Sequence, residues 1–163
     1  MTNITYLTFK RVALLASLLI LLNVVYGQKK KQAGIKWLSL SEVDSLMKIE
    51  QRPILIDLYT TWCGWCRVMD KKTYSDAKVI AFVSQYFYPV KFDAESKTAF
   101  TWSKYKFSFD KQYGVNEFTI YLTKGKFYFP QTVFLLPQNP QPQAVSGYLD
   151  AKEMMELLGK VVE

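Results

Sequence analysis

The chain has 163 residues, of which 50% are hydrophobic, 16% aromatic and 21% charged. This composition supplies enough apolar surface for one folded domain and excludes an intrinsically disordered chain. The formal net charge is +7, but no dense basic run extends beyond residues 29–31, so a nucleic-acid partner is not expected.

The N-terminus has the pattern of an export signal. A basic pair precedes an apolar stretch at 12–22, and Gly27 ends an acceptable cleavage tripeptide. We expect residues 1–27 to be removed as a signal peptide, leaving a flexible mature N-terminus at 28–34 and a domain at 35–163 that works in the periplasm. The alternative is an uncleaved membrane anchor, although a spanning helix needs about 20 apolar residues and this stretch is shorter.

Strand and helix patterns alternate in the first half of the domain. The run at 54–59 is apolar except for Asp57, which is typical of a central strand buried on both faces. Ser75 or Asp76 is placed to cap a helix at 77–86. The other elements predicted here are a weak strand at 35–38, a helix at 41–50 capped by Ser41, a helix that opens at Cys63, and a strand at 88–93.

Residues 94–126 form an insert in which aromatic residues partly alternate, which indicates a hairpin followed by a short helix at 115–122. A strand at 132–136, a proline-rich turn at 137–142 and a strand at 144–148 follow. Asp150 and Glu153 then form a capping-box pattern for the last helix. The element order predicts an α/β domain with a mixed β-sheet and helices on both faces.

The chain has two cysteines, Cys63 and Cys66, separated by Gly64 and Trp65. At the start of a helix, Cys63 would lie near unpaired backbone N–H groups, and the positive end of the helix dipole would lower its thiol pKa. A thiolate attacks disulfides, so Cys63 is predicted to form a mixed disulfide that Cys66 then resolves.

Other uses of the two cysteines remain open. A zinc site needs about four ligands, and the chain has no histidine. A structural disulfide that closes so short a loop would restrain the unfolded chain very little. Two thiolates could also bind copper(I) or dock a partner. We therefore expect a redox-active disulfide as the working group, with no metal and no other cofactor.

Two further residues point to the same chemistry. Asp57 is an acid in an apolar strand six residues before Cys63, so a buried carboxylate with a raised pKa could accept the proton of Cys66; a salt-bridged structural acid is the alternative. Pro130 leads into a strand and could hold a cis bond that presents Phe129 to a substrate peptide. A trans proline that merely starts the strand is the alternative reading.

With the strand-borne Asp57, the Trp-Cys-Gly-Trp-Cys segment at 62–66 and the proline before a late strand, the chain resembles the thioredoxin superfamily over residues 35–163. Segment 62–70 is similar to exported bacterial thioredoxin-like proteins related to the C-terminal domain of membrane thiol-disulfide interchange reductases. The resemblance implies the thioredoxin fold, with an insert before the cis-proline strand.

For the site, the resemblance implies a nucleophilic Cys63, a resolving Cys66, a buried acid at Asp57 and a cis-proline at Pro130. Around them, the residues predicted to contact substrate are Trp62, Gly64, Trp65, Phe129 and Pro130. Two positions depart from the usual family pattern, since Trp65 stands where thioredoxins usually have Pro and Gln131 stands where Thr usually follows the cis-proline.

These features predict a thiol-disulfide oxidoreductase that reduces disulfides of exported proteins. The absence of His between the cysteines favours reduction, because strong periplasmic oxidases of the superfamily typically carry His there. Disulfide-containing exported proteins are the expected substrates, and a membrane thiol-disulfide reductase is the implied electron donor. The alternatives are a disulfide oxidase or isomerase, or a copper(I)-binding or docking module that uses the same dithiol.

Overall fold

The structure, a computed structural model, describes residues 34–163. The first half contains α1 (Leu40–Leu46), β1 (Ile54–Tyr59), α2 (Gly64–Lys72), α3 (Ala77–Tyr86) and β2 (Tyr88–Asp93). The second half contains β3 (Phe100–Trp102), β4 (Tyr105–Phe107), β5 (Phe109–Asp110), β6 (Val115–Asn116), α4 (Glu117–Thr123), β7 (Gln131–Leu136), β8 (Asn139–Ser146) and α5 (Ala151–Val162). The predicted signal peptide lies outside the described residues.

The central sheet has the strand order β2-β1-β7-β8. Strand β1 runs parallel to β2 and antiparallel to β7, and β8 is antiparallel to β7. The α/β class and the mixed sheet predicted from the sequence are thereby confirmed. The weak strand predicted at 35–38 is wrong, because only Leu38 pairs, through one parallel bridge to Val90, while Trp37 packs edge-on against Tyr74.

The side chains of β1 alternate between two hydrophobic cores. Leu55 faces the side covered by α2, α3 and α5, where it joins buried residues such as Met69 and Leu158. Ile54, Ile56 and Leu58 face the side covered by α1, α4 and the insert. Each such side chain stabilises the fold by roughly 1.5–3 kcal/mol when fully buried. A strand that is buried on both faces explains the continuous apolar run.

The insert is organised around Phe118 of α4, which is fully buried. Five aromatic rings lie with their centroids within 6.0 Å of the Phe118 ring, contributed by Phe92, Phe100, Trp102, Phe107 and Tyr121. Strands β3 and β4 form the predicted hairpin, and its turn uses left-handed backbone at Ser103 and Lys104. Most aromatic residues of this segment therefore serve the core.

Several predicted boundaries differ from the structure. The short helix predicted at 115–122 begins only at Glu117, because Val115 and Asn116 pair with β5 as strand β6. Helix α1 begins after Ser39 rather than Ser41, because Ser39 and Glu42 form a reciprocal capping box, and the helix ends at Leu46 rather than residue 50. The predicted turn at 137–142 is shorter in the structure, since it occupies only 137–138 and β8 already starts at Asn139. Proline is tolerated in an edge strand where its missing N–H faces solvent, and β8 is such an edge.

The remaining helices follow their caps. Asp76 caps α3, whose bounds match the prediction, and Asp150 forms the predicted capping box with Glu153 at the start of α5. Within the described part of the chain, the structure contains no helix with the length and apolar character needed to cross a membrane.

Candidate active site

Strand β1 leads through a short loop into the cysteine pair. The backbone N–H of Cys63 donates to the carbonyl of Thr60 at 3.2 Å, which closes this loop. Cys63 is the N-cap of α2, and its Sγ accepts a hydrogen bond from the backbone N–H of Cys66 at 3.1 Å. The sulfur thus occupies the place that an oxygen takes in an ordinary helix cap, as the sequence pattern predicts.

Cys63 and Cys66 form a disulfide with their Cα atoms 5.4 Å apart. Both residues are buried, with 4% of Cys63 and 3% of Cys66 exposed. A partner disulfide can therefore reach the sulfurs only by passing the side chains around them.

Two aromatic contacts border the disulfide loop. The ring of Trp62 packs edge-on against Phe129 at 6.1 Å, and the ring of Trp65 lies 5.4 Å from that of Tyr148. Trp62 and Trp65 remain 64% and 61% exposed. The indole N–H of Trp62 donates to Glu95 at 2.9 Å, so this ring is held in place while its face stays open to a partner.

The small residue between the cysteines leaves room above the helix start. A Cβ atom built on Gly64 would meet only the guanidinium of Arg67, at 3.9 Å. That guanidinium donates to the carbonyl of Thr61 at 3.1 Å and ties α2 back to the loop before it.

The Phe129–Pro130 peptide bond is cis, as the family resemblance implies. Pro130 is buried, and its carbonyl accepts the N–H of Gly147 at 2.9 Å. The next residue, Gln131, is also buried, and its side-chain amide donates to the carbonyl of Lys126 at 2.7 Å. Gln131 therefore fixes the loop that brings Phe129 against Trp62.

A row of polar side chains crosses the sheet beneath α2. Asp57 pairs in register with Lys91 on one neighbouring strand and with Thr132 on the other. Asp57 is 2% exposed, and its Oδ2 lies 2.7 Å from Nζ of Lys91. Lys91 also forms an ion pair with Asp70 of α2, so one cation is shared by two carboxylates.

Burial controls the electrostatics of this row. It raises the pKa of Asp57 to about 6, in spite of the lowering effect of the Lys91 charge. Burial alone would lower the pKa of Lys91, but the charge of Asp57 and the hydrogen bonds to both carboxylates outweigh it and raise that pKa. The Lys91 ammonium also lies 4.9 Å from the Tyr59 ring and 5.4 Å from the Trp37 ring.

Tyr74 closes the same polar cluster from the side of α2. Burial, followed by the negative charge of Asp57, raises the pKa of its phenol well above the usual value. Tyr74 therefore stays protonated at neutral pH and keeps a donor available beside Asp57.

The structure groups the predicted site residues in two layers. Trp62, Trp65 and Phe129 surround the disulfide, whereas Asp57 lies in the buried polar row with Lys91.

Sequence reasoning missed four residues of this arrangement, namely Lys91, Asp70, Glu95 and Tyr148. Lys91 had a signal of its own, because it is a charged residue within the apolar strand at 88–93. Across residues 34–163, no three or more His, Cys, Asp or Glu side chains are grouped to hold a metal ion.

Comparisons with known proteins agree with this geometry. A family model named Thioredox_DsbH, described as a protein of unknown function, DUF255, matches residues 17–162. The thiol:disulfide interchange protein DsbD of Yersinia enterocolitica is 34% identical over 77 residues, which cover 40% of this chain and only 13% of that protein.

Solved structures show the same similarity. The structure titled DsbH oxidoreductase has a TM-score of 0.57 at 17% identity, covering 83% of this chain and 94% of that one. A thioredoxin from Thermus thermophilus has a TM-score of 0.59 at 16% identity, covering 80% of this chain and 88% of that one. These likenesses confirm the predicted fold, a thioredoxin fold built around a Cys-x-x-Cys pair.

Proposed function

Because the chain belongs to the Thioredox_DsbH family, we propose that it is an exported thiol-disulfide oxidoreductase that reduces disulfides through Cys63 and Cys66. The observation that carries this proposal is the position of Cys63 at the N-terminus of α2, where its Sγ accepts the N–H of Cys66. The same N–H would stabilise a Cys63 thiolate once the disulfide is reduced. Aromatic side chains on both sides of the pair suit the apolar segments of a polypeptide substrate.

The reaction needs two exchange steps. In the reduced protein, the Cys63 thiolate attacks one sulfur of a substrate disulfide, forms a mixed disulfide and releases the other substrate sulfur as a thiolate. Cys66 then loses its proton and attacks Cys63, which releases the second substrate thiol and leaves the Cys63–Cys66 disulfide. The substrate gains two electrons and the protein loses two.

In this proposal Asp57 accepts the proton that leaves Cys66. Its pKa of about 6 lets it hold or release a proton near neutral pH, whereas an ordinary carboxyl group would remain ionised. Lys91 keeps the pKa of Asp57 from rising further. It therefore acts through Asp57, as a positioning residue, rather than as a catalytic residue.

The direction of electron flow requires a donor outside the cytoplasm. We assign that role to a membrane thiol-disulfide reductase, and we assign disulfide-containing exported proteins as substrates. The export pattern of residues 1–27 supports this location, with retention as an N-terminal membrane anchor as the alternative arrangement.

The decisive experiment measures the dithiol reduction potential of residues 28–163 in a dithiothreitol series, together with the reduction of insulin disulfides. A potential near roughly −270 mV with rapid insulin reduction supports the reductase. A potential near roughly −120 mV would make the protein a disulfide donor and overturn the assignment. Cys63→Ser serves as the inactive control, and Cys66→Ser should accumulate the mixed disulfide.

A further inference from the structure

The insert has an excess of positive charge. Residues 94–128 contain six lysines and three acids. The carboxylate of Glu95 accepts the Trp62 indole, that of Asp110 accepts two backbone N–H groups of its own turn, and that of Glu117 accepts the backbone and hydroxyl of Ser108. Each acid therefore serves a local hydrogen bond.

The six lysines of the insert form no ion pair with any residue between 34 and 163. Four of them lie at the ends of neighbouring loops, and we call this group the basic rim: Lys97, Lys111, Lys124 and Lys126. All four are exposed, as are Tyr113 and Tyr128, which are 54% and 67% accessible. Exposed lysines and exposed tyrosine rings on the same loops give this surface both positive charge and apolar area.

Contacts connect the rim to the disulfide. The ring of Tyr113 lies 6.0 Å from that of Phe127, which joins the turn that carries Lys111 to the loop after Lys126. Two residues further along that loop, Phe129 packs against Trp62. The rim is therefore continuous with the aromatic border of the cysteine pair.

Buried hydrogen bonds hold the two sides of the rim in place. The amide of Asn116 donates to the carbonyl of Ser96 at 2.9 Å, which fixes the segment that carries Lys97 against the insert. Lys97 itself lies over the Phe109 ring at 5.8 Å. On the other side, Gln131 binds the carbonyl of Lys126. The basic side chains thus project from a backbone that is anchored to the core.

We propose that the basic rim docks an acidic segment of the polypeptide whose disulfide is presented to Cys63. This inference rests on the proposed function and names its substrate class. Positive charge without internal partners attracts carboxylates and raises the rate of encounter with them. The exposed tyrosines then contact apolar residues beside the acids.

A polypeptide fits this surface better than an anionic membrane does. The rim lies beside the cis-proline loop, and Lys124 and Lys126 are followed along the chain by Phe129, which packs against Trp62 at the disulfide loop. A substrate chain crossing the rim is thereby led to Trp62 and the disulfide. An anionic lipid surface would contact the lysines, but it would have no disulfide to bring to Trp62 and the cysteine pair.

The test uses two steps on residues 28–163. Binding of cysteine-free peptides, one rich in Asp and Glu and one rich in Lys and Arg, is measured by fluorescence anisotropy at low and high salt. Reduction of hydroxyethyl disulfide, which is small and uncharged, by the prereduced protein is measured separately. We expect the acidic peptide to bind at least about tenfold more tightly at low salt, with the preference falling as salt screens the charges.

The rim variant is Lys111→Glu with Lys126→Glu, and the matched control is Lys78→Glu with Lys160→Glu, two exposed lysines on α3 and α5. The rim variant should lose the acidic preference and the control should keep it, with hydroxyethyl disulfide reduced equally by both. Binding to phosphatidylserine vesicles is measured in parallel. A wild-type protein without the peptide preference, or a rim variant that keeps this preference and loses only vesicle binding, would overturn the proposal. Failure of the wild-type protein to reduce hydroxyethyl disulfide would overturn the oxidoreductase function instead. The peptide-binding measurement would still test whether the basic rim docks an acidic segment.

Discussion

Asp57 illustrates how one residue links stability and chemistry. Its carboxyl group is buried under α2 and is opposed by a single cation, Lys91, which it shares with Asp70. Charging this group in the fold is more difficult than in water, so its pKa is about 6 in the folded protein against an ordinary value of 3.8. The folded state therefore binds the proton more tightly than the unfolded state does.

This difference predicts a pH-dependent stability. The contribution of protonated Asp57 is fully present below pH 3.8 and is lost as the pH rises through about 6. We expect Asp57→Asn, which cannot ionise, to remove this loss, so that the stability of the variant relative to wild type increases by about 2–3 kcal/mol between pH 4 and pH 8. Urea unfolding of the oxidised proteins at several pH values measures it, and a difference independent of pH would contradict it.

A second prediction concerns Lys91. Replacing it by Met removes the charge that lowers the pKa of Asp57, so that pKa should rise above about 6. Carboxyl infrared absorption as a function of pH, with Asp57→Asn as the reference that lacks the band, follows the titration directly. Lys72→Met, an exposed change on α2, is the control and should leave the midpoint unchanged; a Lys91→Met midpoint at or below that of wild type would refute the electrostatic account.

At the scale of the elements, Asn116 joins the insert to the core. It is fully buried, it caps α4 by accepting the N–H of Phe118, and its amide donates to the carbonyl of Ser96. The backbone N–H of Asn116 also donates to the carbonyl of Ala94 at 2.8 Å. Asn116 thus ties the start of α4 to the segment that follows β2 through both its side chain and its backbone.

Asn116→Ala should therefore cost more than the loss of an ordinary cap. An exposed cap contributes about 1 kcal/mol, and a buried carbonyl left without its donor costs about 1–3 kcal/mol more. We expect a loss of about 2–4 kcal/mol for Asn116→Ala and about 1 kcal/mol for Asp150→Ala, the exposed cap of α5. Chemical denaturation compares the two variants, and equal losses would show that the amide contributes nothing beyond capping.

Local signals explain which elements could be predicted. The strand at 54–59 and the helix at 77–86 carry strong apolar patterns and clear caps, and the structure places both as expected. The residues of β8 up to 142 were predicted as a turn because prolines usually mark turns. An edge strand, however, tolerates them. The start of α1 depended on which of two nearby serines pairs with Glu42, a choice that only the three-dimensional backbone decides.

The site shows the same limit. The cysteine pair and Asp57 could be proposed from short segments, because their chemistry is visible in the residue types and spacing. Lys91 and Asp70 could not, since their roles depend on the parallel register that sets Lys91 beside Asp57 and on the helix that returns Asp70 to the same place. The charge of Lys91 is visible within its apolar strand, but the partners of that charge are set by tertiary contacts.

For the whole molecule, redox state and folding stability are linked by a thermodynamic cycle. The disulfide has one reduction potential in the folded chain and another in the unfolded chain. The difference between these two potentials sets the difference in unfolding free energy between the oxidised and reduced proteins, and about 30 mV corresponds to about 1.4 kcal/mol. A loop of two residues restrains the unfolded chain little, so the gap must arise from the native site.

A reductase should be more stable when oxidised. We expect the disulfide form to unfold at a higher urea concentration than the protein kept reduced by a phosphine, and a Cys63→Ser, Cys66→Ser variant to be insensitive to the reductant. If the reduced form proves the more stable one, the folded protein favours its thiols and the electron flow proposed above runs in the opposite direction.

The two edges of the sheet determine whether another chain can pair with it as a further strand. On one edge Leu38 pairs with Val90, and on the other β8 carries prolines at 140 and 142 that lack the donors a further strand would need. An exposed strand edge is a template on which another chain can pair and aggregate. Because the Leu38 bridge and the two prolines interrupt these edges, a polypeptide docked beside the dithiol, as proposed, would meet no continuous strand edge on which to pair.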